Sequence, residues 1–316
     1  MAETLLGILA AAAPATTAIL LAAMGGAINL QAGIVNIGLD GLMLAGAFVA
    51  VLVAAQSGSS GLGVLAAAIA AGVIGWLFSL TITRLDANQI IAGLGLNLAI
   101  VGLIGYLLPI EFGVQGTYLP AGLKGLPSLR IPVVDALPGI GPILSGHDPL
   151  TYLSWLSVPI AAFVLCRTTW GIALRATGAD EEAARAAGIP TRRWRDLSTV
   201  AAGVFAGLAG AQLSLGVVTL FNKNMTGGRG FIALAAFYFG GGRPWPTAAA
   251  AALFGVFEAA AAQFGSTGLA PQLVQMLPYL VVVIALALVG WRRAWAGQRR
   301  ARLMLAAGSS SDETAP

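Results

Sequence analysis

Polar side chains that could bind a solute lie inside stretches of sequence that are otherwise apolar. The first group, Asn29, Gln31, Asn36 and Asp40, is spaced among glycines between residues 26 and 48. Amide side chains offer both hydrogen-bond donors and acceptors, which suits a neutral polar solute. The glycines permit irregular backbone, and Asp40 is placed to cap the helix that follows it. The pattern predicts either a capped turn between two helices or a broken helix that lines a path through the membrane.

A second polar group opens a later apolar stretch. Asn88 and Gln89 stand at its start, and Asn97 lies further along it. These amides could contact a solute on its path. They could equally form hydrogen bonds between helices, which typically contribute less than about 1–2 kcal/mol each. The spacing leaves both interpretations open.

Glu258 is the acid in the interior of a predicted membrane segment. Such a residue must be neutral or paired, and by default it is a candidate for function. A structural hydrogen bond is one hypothesis and proton coupling is the other. Gln212, Gln263 and Gln275 are further polar positions in apolar stretches, and their spacing assigns them no role.

The composition indicates that lipid is the solvent around these groups. Hydrophobic residues make up 58% of the chain and charged residues 9%, and the mean hydropathy is +0.85. A soluble domain carries roughly 25% charged residues. The net charge of +4 is dispersed between apolar runs, which is not typical of a nucleic-acid-binding surface. One histidine, one cysteine and no paired carboxylates on one helical face predict neither a catalytic site nor a metal site.

The apolar stretches predict an all-α, polytopic helical bundle of about nine membrane segments (eight to ten), since a span needs roughly 20 apolar residues. The segments lie near residues 5–28, 38–56, 61–83, 88–109, 150–166, 197–218, 229–241, 246–264 and 272–290. The piece 229–241 is too short for a straight span, so we expect a half-helix or a re-entrant element there.

Positive charge predicts which segment ends face the cytoplasm, because Lys and Arg concentrate in cytoplasmic loops. Most of the 17 basic residues fall at ends on one side, namely Arg84, residues 167–195, Arg243 and residues 292–302. Four fall on the other side, namely Lys124, Arg130, Lys223 and Arg229. We therefore place the C-terminus in the cytoplasm and the N-terminus outside.

Residues 1–303 are predicted to form a single transmembrane domain. Residues 111–149 form its long external loop, which is rich in Gly and Pro, and His147 beside Asp148 is interpreted as a surface residue of that loop. The tail 304–316 is small and polar, and we expect it to be disordered.

A short helix with its own start and stop signals is predicted in the longest internal loop. Asp180 can cap it and acids follow in the first turn. The run 183–187 favours helix, Gly188 suits the position just past the end, and Pro190 prevents continuation. The helix is either a solvated connector or a rigid knob that inserts into a cytoplasmic motor.

Residues 175–189, Arg-Ala-Thr-Gly-Ala-Asp-Glu-Glu-Ala-Ala-Arg-Ala-Ala-Gly-Ile, resemble the coupling-helix motif of permeases in ABC importers for branched-chain amino acids, sugars and nucleosides. Ala179 and Asp180 stand where that family commonly has Asn after the first Gly. The resemblance implies a coupling helix over about 178–189. The residues that it implies for contact with an ATPase are Arg175, Gly178, Asp180, Glu181, Glu182, Arg185 and Gly188.

Two further stretches resemble the nucleoside-type branch of the same family. Residues 36–47 are similar to its Asn-Ile-Gly-x-Glu-Gly-x-Met-Leu-x-Gly-Ala segment, with Asp40 in place of Glu. Residues 87–97 are similar to Ala-Asn-Gln-Ile-Ile-x-Gly-Leu-x-Leu-Asn. The resemblance implies a multi-pass permease of the bacterial inner membrane that moves nucleosides by alternating access.

The sequence contains no Gly-x-x-x-x-Gly-Lys-Ser/Thr loop, so we expect this chain to hold no cofactor and a separate cytoplasmic ATPase to bind ATP and Mg²⁺. The resemblance also implies a second permease subunit, a distinct homologue that forms a heterodimer, and an extracytoplasmic solute-binding lipoprotein. Sugars or branched-chain amino acids are alternative solutes. A secondary transporter that couples protons through Glu258 and Asp40 is the other alternative, and the capped internal helix argues against it.

Overall fold

The computed structural model describes residues 2–120, 122–130, 145–264 and 280. In that part of the chain we number the helices α1 to α10: α1 Ala2–Gln31, α2 Leu39–Ser57, α3 Ser60–Arg84, α4 Gln89–Phe112, α5 Pro149–Arg167, α6 Thr169–Ala179, α7 Glu181–Ala186, α8 Thr191–Ala211, α9 Arg229–Phe239 and α10 Pro244–Phe264. A π-helical turn, Gln212–Val217, continues α8. Two short strands, β1 Thr117–Tyr118 and β2 Phe221–Asn222, complete the described elements.

Seven of these helices, α1 to α5, α8 and α10, are long and apolar enough to cross a membrane. They coincide with seven of the predicted segments and confirm a polytopic helical membrane protein. The predicted short piece 229–241 is α9, which at 11 residues is too short to span. The ninth predicted segment, 272–290, apart from residue 280, and the tail 304–316 lie outside the described residues, so the count of nine is not confirmed.

Helices α1, α2 and α8 form the centre of the bundle, and their apolar residues make up most of the core. Small residues allow these backbones to approach closely. A Cβ atom at Gly46 in α2 would lie 2.6 Å from the Cα of Gly207 in α8, closer than van der Waals contact permits. By contrast, α4 is largely exposed, with Leu98 and Ile91 among its most exposed side chains. An apolar exposed face is the expected surface of a helix that contacts lipid or another membrane subunit.

The strands β1 and β2 join the connections that follow α4 and the π-helical turn. They pair antiparallel, with Thr117 opposite Asn222 and Tyr118 opposite Phe221. Phe221 is fully buried and packs edge-on against Phe48 of α2. This small two-stranded sheet anchors the loops to the end of the bundle opposite α6 and α7.

The close contact of α2 with α8 gives a test of the packing. We expect Gly46→Ala to lower the free energy of unfolding by about 1–3 kcal/mol, since overpacking a tight interface displaces backbone. The matched control is Gly102→Ala in α4, where a Cβ atom meets nothing within 4 Å. That change should leave stability within about 1 kcal/mol, because Ala favours helix over Gly. Thermal unfolding of the detergent-solubilised protein measures both, and equal effects would contradict the packing described.

Candidate functional site

The glycine-rich segment after α1 is a break between two helices, and we call residues 32–38 the α1–α2 junction. Gly33 adopts a φ of +78°, which an L side chain rarely does. The N–H of Gly33 donates to the carbonyl of Leu30, and that of Ile34 to Asn29, each at 3.0 Å. This Schellman arrangement ends α1 and satisfies its last carbonyls. The chain then runs without helix until Leu39.

Two amides of α4, Gln89 and Asn97, hold the backbone of the junction and of the first turn of α2. The side-chain oxygen of Gln89 accepts from the N–H of Val35 at 2.9 Å. Asn97 accepts from the N–H of Gly41 at 2.8 Å and donates to the carbonyl of Ile37 at 3.0 Å. Asn97 lies about 12 Å along α4 from Gln89, at 1.5 Å per residue. The junction therefore runs along the first turns of α4 before α2 begins.

Asn88 has a different position from its two predicted partners. It is exposed, and its side-chain oxygen accepts from the N–H groups of Ile90 and Ile91 at 2.9 and 3.3 Å. It is therefore the N-cap of α4. The structure does not bring its side chain to the junction.

The expectation that Asp40 caps its own helix is wrong. Gly38 is the N-cap of α2 and makes no side-chain capping bond. Asp40 instead accepts from the N–H of Gly230 at 3.0 Å and from the hydroxyl of Thr226 at 3.1 Å. It caps the half-helix α9, because the tertiary fold places the free N–H groups of α9 within reach of its carboxylate.

Glu258 forms an ion pair with Arg229, the first residue of α9. The Nε atom of Arg229 donates to Oε1 of Glu258 at 2.7 Å, and its Nη2 atom binds the same oxygen. Its Nη1 atom donates to the carbonyls of Met225 and Thr226 at 3.0 and 3.3 Å. Arg229 thus supplies the partner that an acid inside a membrane segment requires.

Asn29 and Gln31 of the first predicted group lie in the last turn of α1 and bind different parts of the bundle. Asn29 accepts from the hydroxyls of Ser198 and Thr199 in α8 at 2.9 and 3.0 Å. Gln31 donates to the carbonyl of Gly241, just after α9, at 3.4 Å. Gln31 and Asp40 thereby contact opposite ends of α9.

Three of the predicted residues retain a buried polar atom without a hydrogen-bond partner in the described part of the chain. Asn36 accepts from the N–H of Gly38 at 2.9 Å, but its Nδ2 atom has no partner. The same holds for Nδ2 of Asn29 and Oε2 of Glu258. Buried polar atoms are nearly always satisfied in folded proteins, so water or a ligand is the expected partner.

The predicted internal helix is present as α7, with the predicted cap and stop. Asp180 accepts from the N–H of Ala183 at 3.0 Å. At the other end Gly188 has a φ of +80°, and the N–H of Ile189 donates to the carbonyl of Ala184 at 3.0 Å. The same Schellman arrangement that ends α1 ends α7. The predicted range 178–189 also covers the last residues of α6 and the turn that joins it to α7.

The residues predicted to contact an ATPase do not share one environment. Glu181 accepts from Arg185 at 2.8 Å and from Arg195 of α8 at 2.7 Å, so it fixes α7 to α8. Glu182 is exposed, and so is Arg175, whose Nε atom donates to the carbonyl of Gly171 at 3.3 Å.

Gly178 links this region to the junction. A Cβ atom at Gly178 would lie 2.7 Å from the N atom of Gly33 and closer still to the carbonyl of Gln31. The end of α6 therefore lies directly on the backbone where α1 breaks. Only a residue without a side chain permits this approach.

A further polar cluster was not found from the sequence. Asp148 caps α5 through the N–H of Thr151 at 3.0 Å, and its other oxygen accepts from Gln212 at 2.8 Å and from the Thr151 hydroxyl at 3.1 Å. Thr17 of α1 donates to the Thr151 hydroxyl at 3.0 Å. Gln212 begins the π-helical turn and is fully buried. Asp148 followed by Pro149 is a sequence signal for the start of a helix. No spacing rule predicts that Gln212 is the partner of Asp148.

Residues 8–286 match the family described as the permease component of the branched-chain amino acid transport system. The chain belongs to this family. It is 32% identical to TsgC13 of Haloferax volcanii, which is provisionally named as a glucose ABC transporter permease protein, over 89% of this chain and 91% of that one. It is 30% identical to the nucleoside permease protein NupC of Lactococcus lactis, over 86% and 89%, and to the guanosine permease protein NupQ of Bacillus subtilis, over 85% and 87%. No solved structure gives a significant match.

The protein is therefore a multi-pass ABC transporter permease and not an enzyme. A permease needs a path for solute and a contact for the motor. The junction is bound by the amides Gln89 and Asn97 of α4, and it lies against the end of α6 at Gly178.

The ion pair of Arg229 with Glu258 can be tested by removing its members singly and together. We expect Glu258→Met or Arg229→Met alone to lower the free energy of unfolding by about 1–3 kcal/mol, because each leaves a partly buried charge without its partner. The double variant should recover most of this loss. A thermal-unfolding series on the purified protein measures the coupling between the sites, and additive losses would show that the pair does not form.

Proposed function

We propose that this permease is the transmembrane subunit of an ATP-driven importer that moves a small polar solute, a nucleoside, across a bacterial inner membrane by alternating access. The contact of Gly178 with Gly33 carries the proposal, because it joins the internal helices to the polar groups of the bundle. The similarity of residues 36–47 and 87–97 to nucleoside-type permeases supports the solute class. The 30% identity to NupC and NupQ over most of each chain supports it further.

The exposed face of α7 is the proposed contact for the ATPase. It carries Glu182, Ala183, Ala186 and Ala187, all exposed. Because Glu181 binds Arg195, α7 moves with α8 as one body. A push on this face is proposed to reach the junction through α6 and Gly178.

From the junction the movement has two routes into the bundle. One runs through Asn97 and Gln89 to α4. The other runs through Asp40 to the N-terminus of α9 and on to the Arg229–Glu258 pair. Rocking these helices about the junction would open the path alternately to either side.

The partners follow from this arrangement. We place α6, α7 and the C-terminus in the cytoplasm and the N-terminus outside, with the loop 111–149 facing the periplasm and its solute-binding lipoprotein. A distinct second permease would cover part of the exposed apolar surface of helices such as α4. ATP and Mg²⁺ would be bound by the partner ATPase.

A charge reversal tests the proposed docking face. We expect Glu182→Arg to reduce solute-stimulated ATP hydrolysis in the reconstituted transporter by roughly tenfold or more, since mismatched charge at an interface costs several kcal/mol. Glu181→Arg would be uninformative, because it breaks the contact of α7 with α8. The matched control is Glu182→Asp, which keeps the negative charge at the same exposed position and should leave hydrolysis unchanged. Normal coupling in the Glu182→Arg variant, or labelling of a cysteine at position 187 from the periplasm alone, would refute the assignment.

The solute is tested on the cognate binding protein. Nucleosides should raise its thermal stability, by about 2.7 kcal/mol at a hundredfold excess over Kd, whereas sugars and branched-chain amino acids should not. A shift with glucose instead would favour the second candidate, a sugar importer, to which the similarity to TsgC13 points. Uptake of the same labelled compound into proteoliposomes that contain the complete transporter then confirms the solute.

A further inference from the structure

An apolar crevice opens on the side of the bundle near α6. Side chains from α1, α5, α6 and α8 line it, and its volume is about 290 Å³. The hydroxyl groups of its two serines already donate hydrogen bonds within the protein, so neither is available to donate to a ligand. Ser157 donates to the carbonyl of Ser154 at 2.6 Å, and Ser198 donates to Asn29 and to the carbonyl of Arg195. The interior of the crevice therefore suits a hydrocarbon chain rather than a polar solute.

Two tryptophans stand at the end of the crevice toward α6. The rings of Trp170 and Trp194 meet edge-on with centroids 6.1 Å apart, and Trp170 is 67% exposed. Tryptophans concentrate where a membrane meets water, because the ring is apolar and its N–H is polar. This end of the crevice thus lies at the level of lipid headgroups.

Two arginines lie next to that end. Arg167 follows the crevice residue Val164 by three positions in α5, and Arg193 precedes Leu197 by four in α8, so each lies beside the crevice face of its helix. Both are exposed, and neither has an ion-pair partner among the residues that the structure describes. Arg195, two residues after Arg193, is already bound to Glu181.

We propose that the crevice binds an acyl chain of an anionic phospholipid, whose headgroup phosphate is held by Arg167 and Arg193. The guanidinium groups supply the positive charge and donors that a phosphate requires. The apolar walls supply the site for the chain. The inner-leaflet position rests on the proposed orientation of α6 and α7, but the site itself requires only that this end meets headgroups.

The test is lipid retention by the full transporter complex. The complex is purified in mild detergent, stripped of lipid, and titrated with phosphatidylglycerol or phosphatidylcholine under native mass spectrometry. We expect phosphatidylglycerol to bind in preference. The double variant Arg167→Gln/Arg193→Gln should weaken it by roughly 30-fold, about fivefold for each arginine near the headgroup. Ala201→Phe, which fills the crevice, should reduce the binding of both lipids.

The matched control is Arg192→Gln/Arg243→Gln, which removes the same charge from two exposed arginines outside the crevice lining. Arg192 lies about 160° around α8 from Trp194. An equal loss in this control would reduce the effect to general surface charge and overturn the proposal. Equal binding of the two lipids, or retention unchanged in Ala201→Phe, would overturn it as well. Loss of the partner permease from the Ala201→Phe complex would instead make the crevice a subunit interface. None of these readouts uses ATP hydrolysis or uptake, so a failed coupling test leaves them unaffected.

Discussion

A backbone N–H or carbonyl inside a bilayer must find its hydrogen-bond partner within the protein, and the α1–α2 junction is where this permease has to meet that constraint. The junction leaves several backbone groups outside any helical ladder. The side chains of Gln89, Asn97 and Asn36 satisfy them one by one. The amides are therefore what make a break in the helix tolerable at this depth. They bind the protein's own backbone first, so they shape the path before any of them can contact a solute.

The same break explains how α6 can lie directly against the end of α1. A continuous helix would present side chains to α6 and keep it at a distance. The left-handed turn at Gly33 and the missing side chain of Gly178 allow two backbones to touch. Backbone contacts of this kind cannot slide by rotamer changes, as contacts between long side chains can. In the mechanism that we propose, a movement of α6 would displace the junction itself, together with the helices that Asn97 and Asp40 attach to it.

Helices and caps that depend on neighbouring residues could be predicted from the sequence, whereas side-chain pairs between distant residues could not. Hydropathy located the long helices. The start and stop signals Asp180 and Gly188 located α7, because each forms its contacts with residues of the adjacent helical turn. Asp40 shows the limit of local rules. Its position in the first turn of α2 suggested a cap for that helix, but the fold offered it the N-terminus of α9. No spacing rule joins Arg229 to Glu258 or Gln212 to Asp148, because these pairs form only when separate helices pack together.

The charges around α9 bear on the kind of solute that can pass. Its N-terminus carries a partial charge of about +0.5, and Arg229 adds one positive charge. Asp40 binds the helix end and Glu258 binds Arg229, so each positive group has its own carboxylate. The cluster therefore presents neither a strong cationic nor a strong anionic site to the path. For the path that we propose, this near-cancellation suits an uncharged polar solute such as a nucleoside or a sugar, because no uncompensated charge beside α9 would hold an ion.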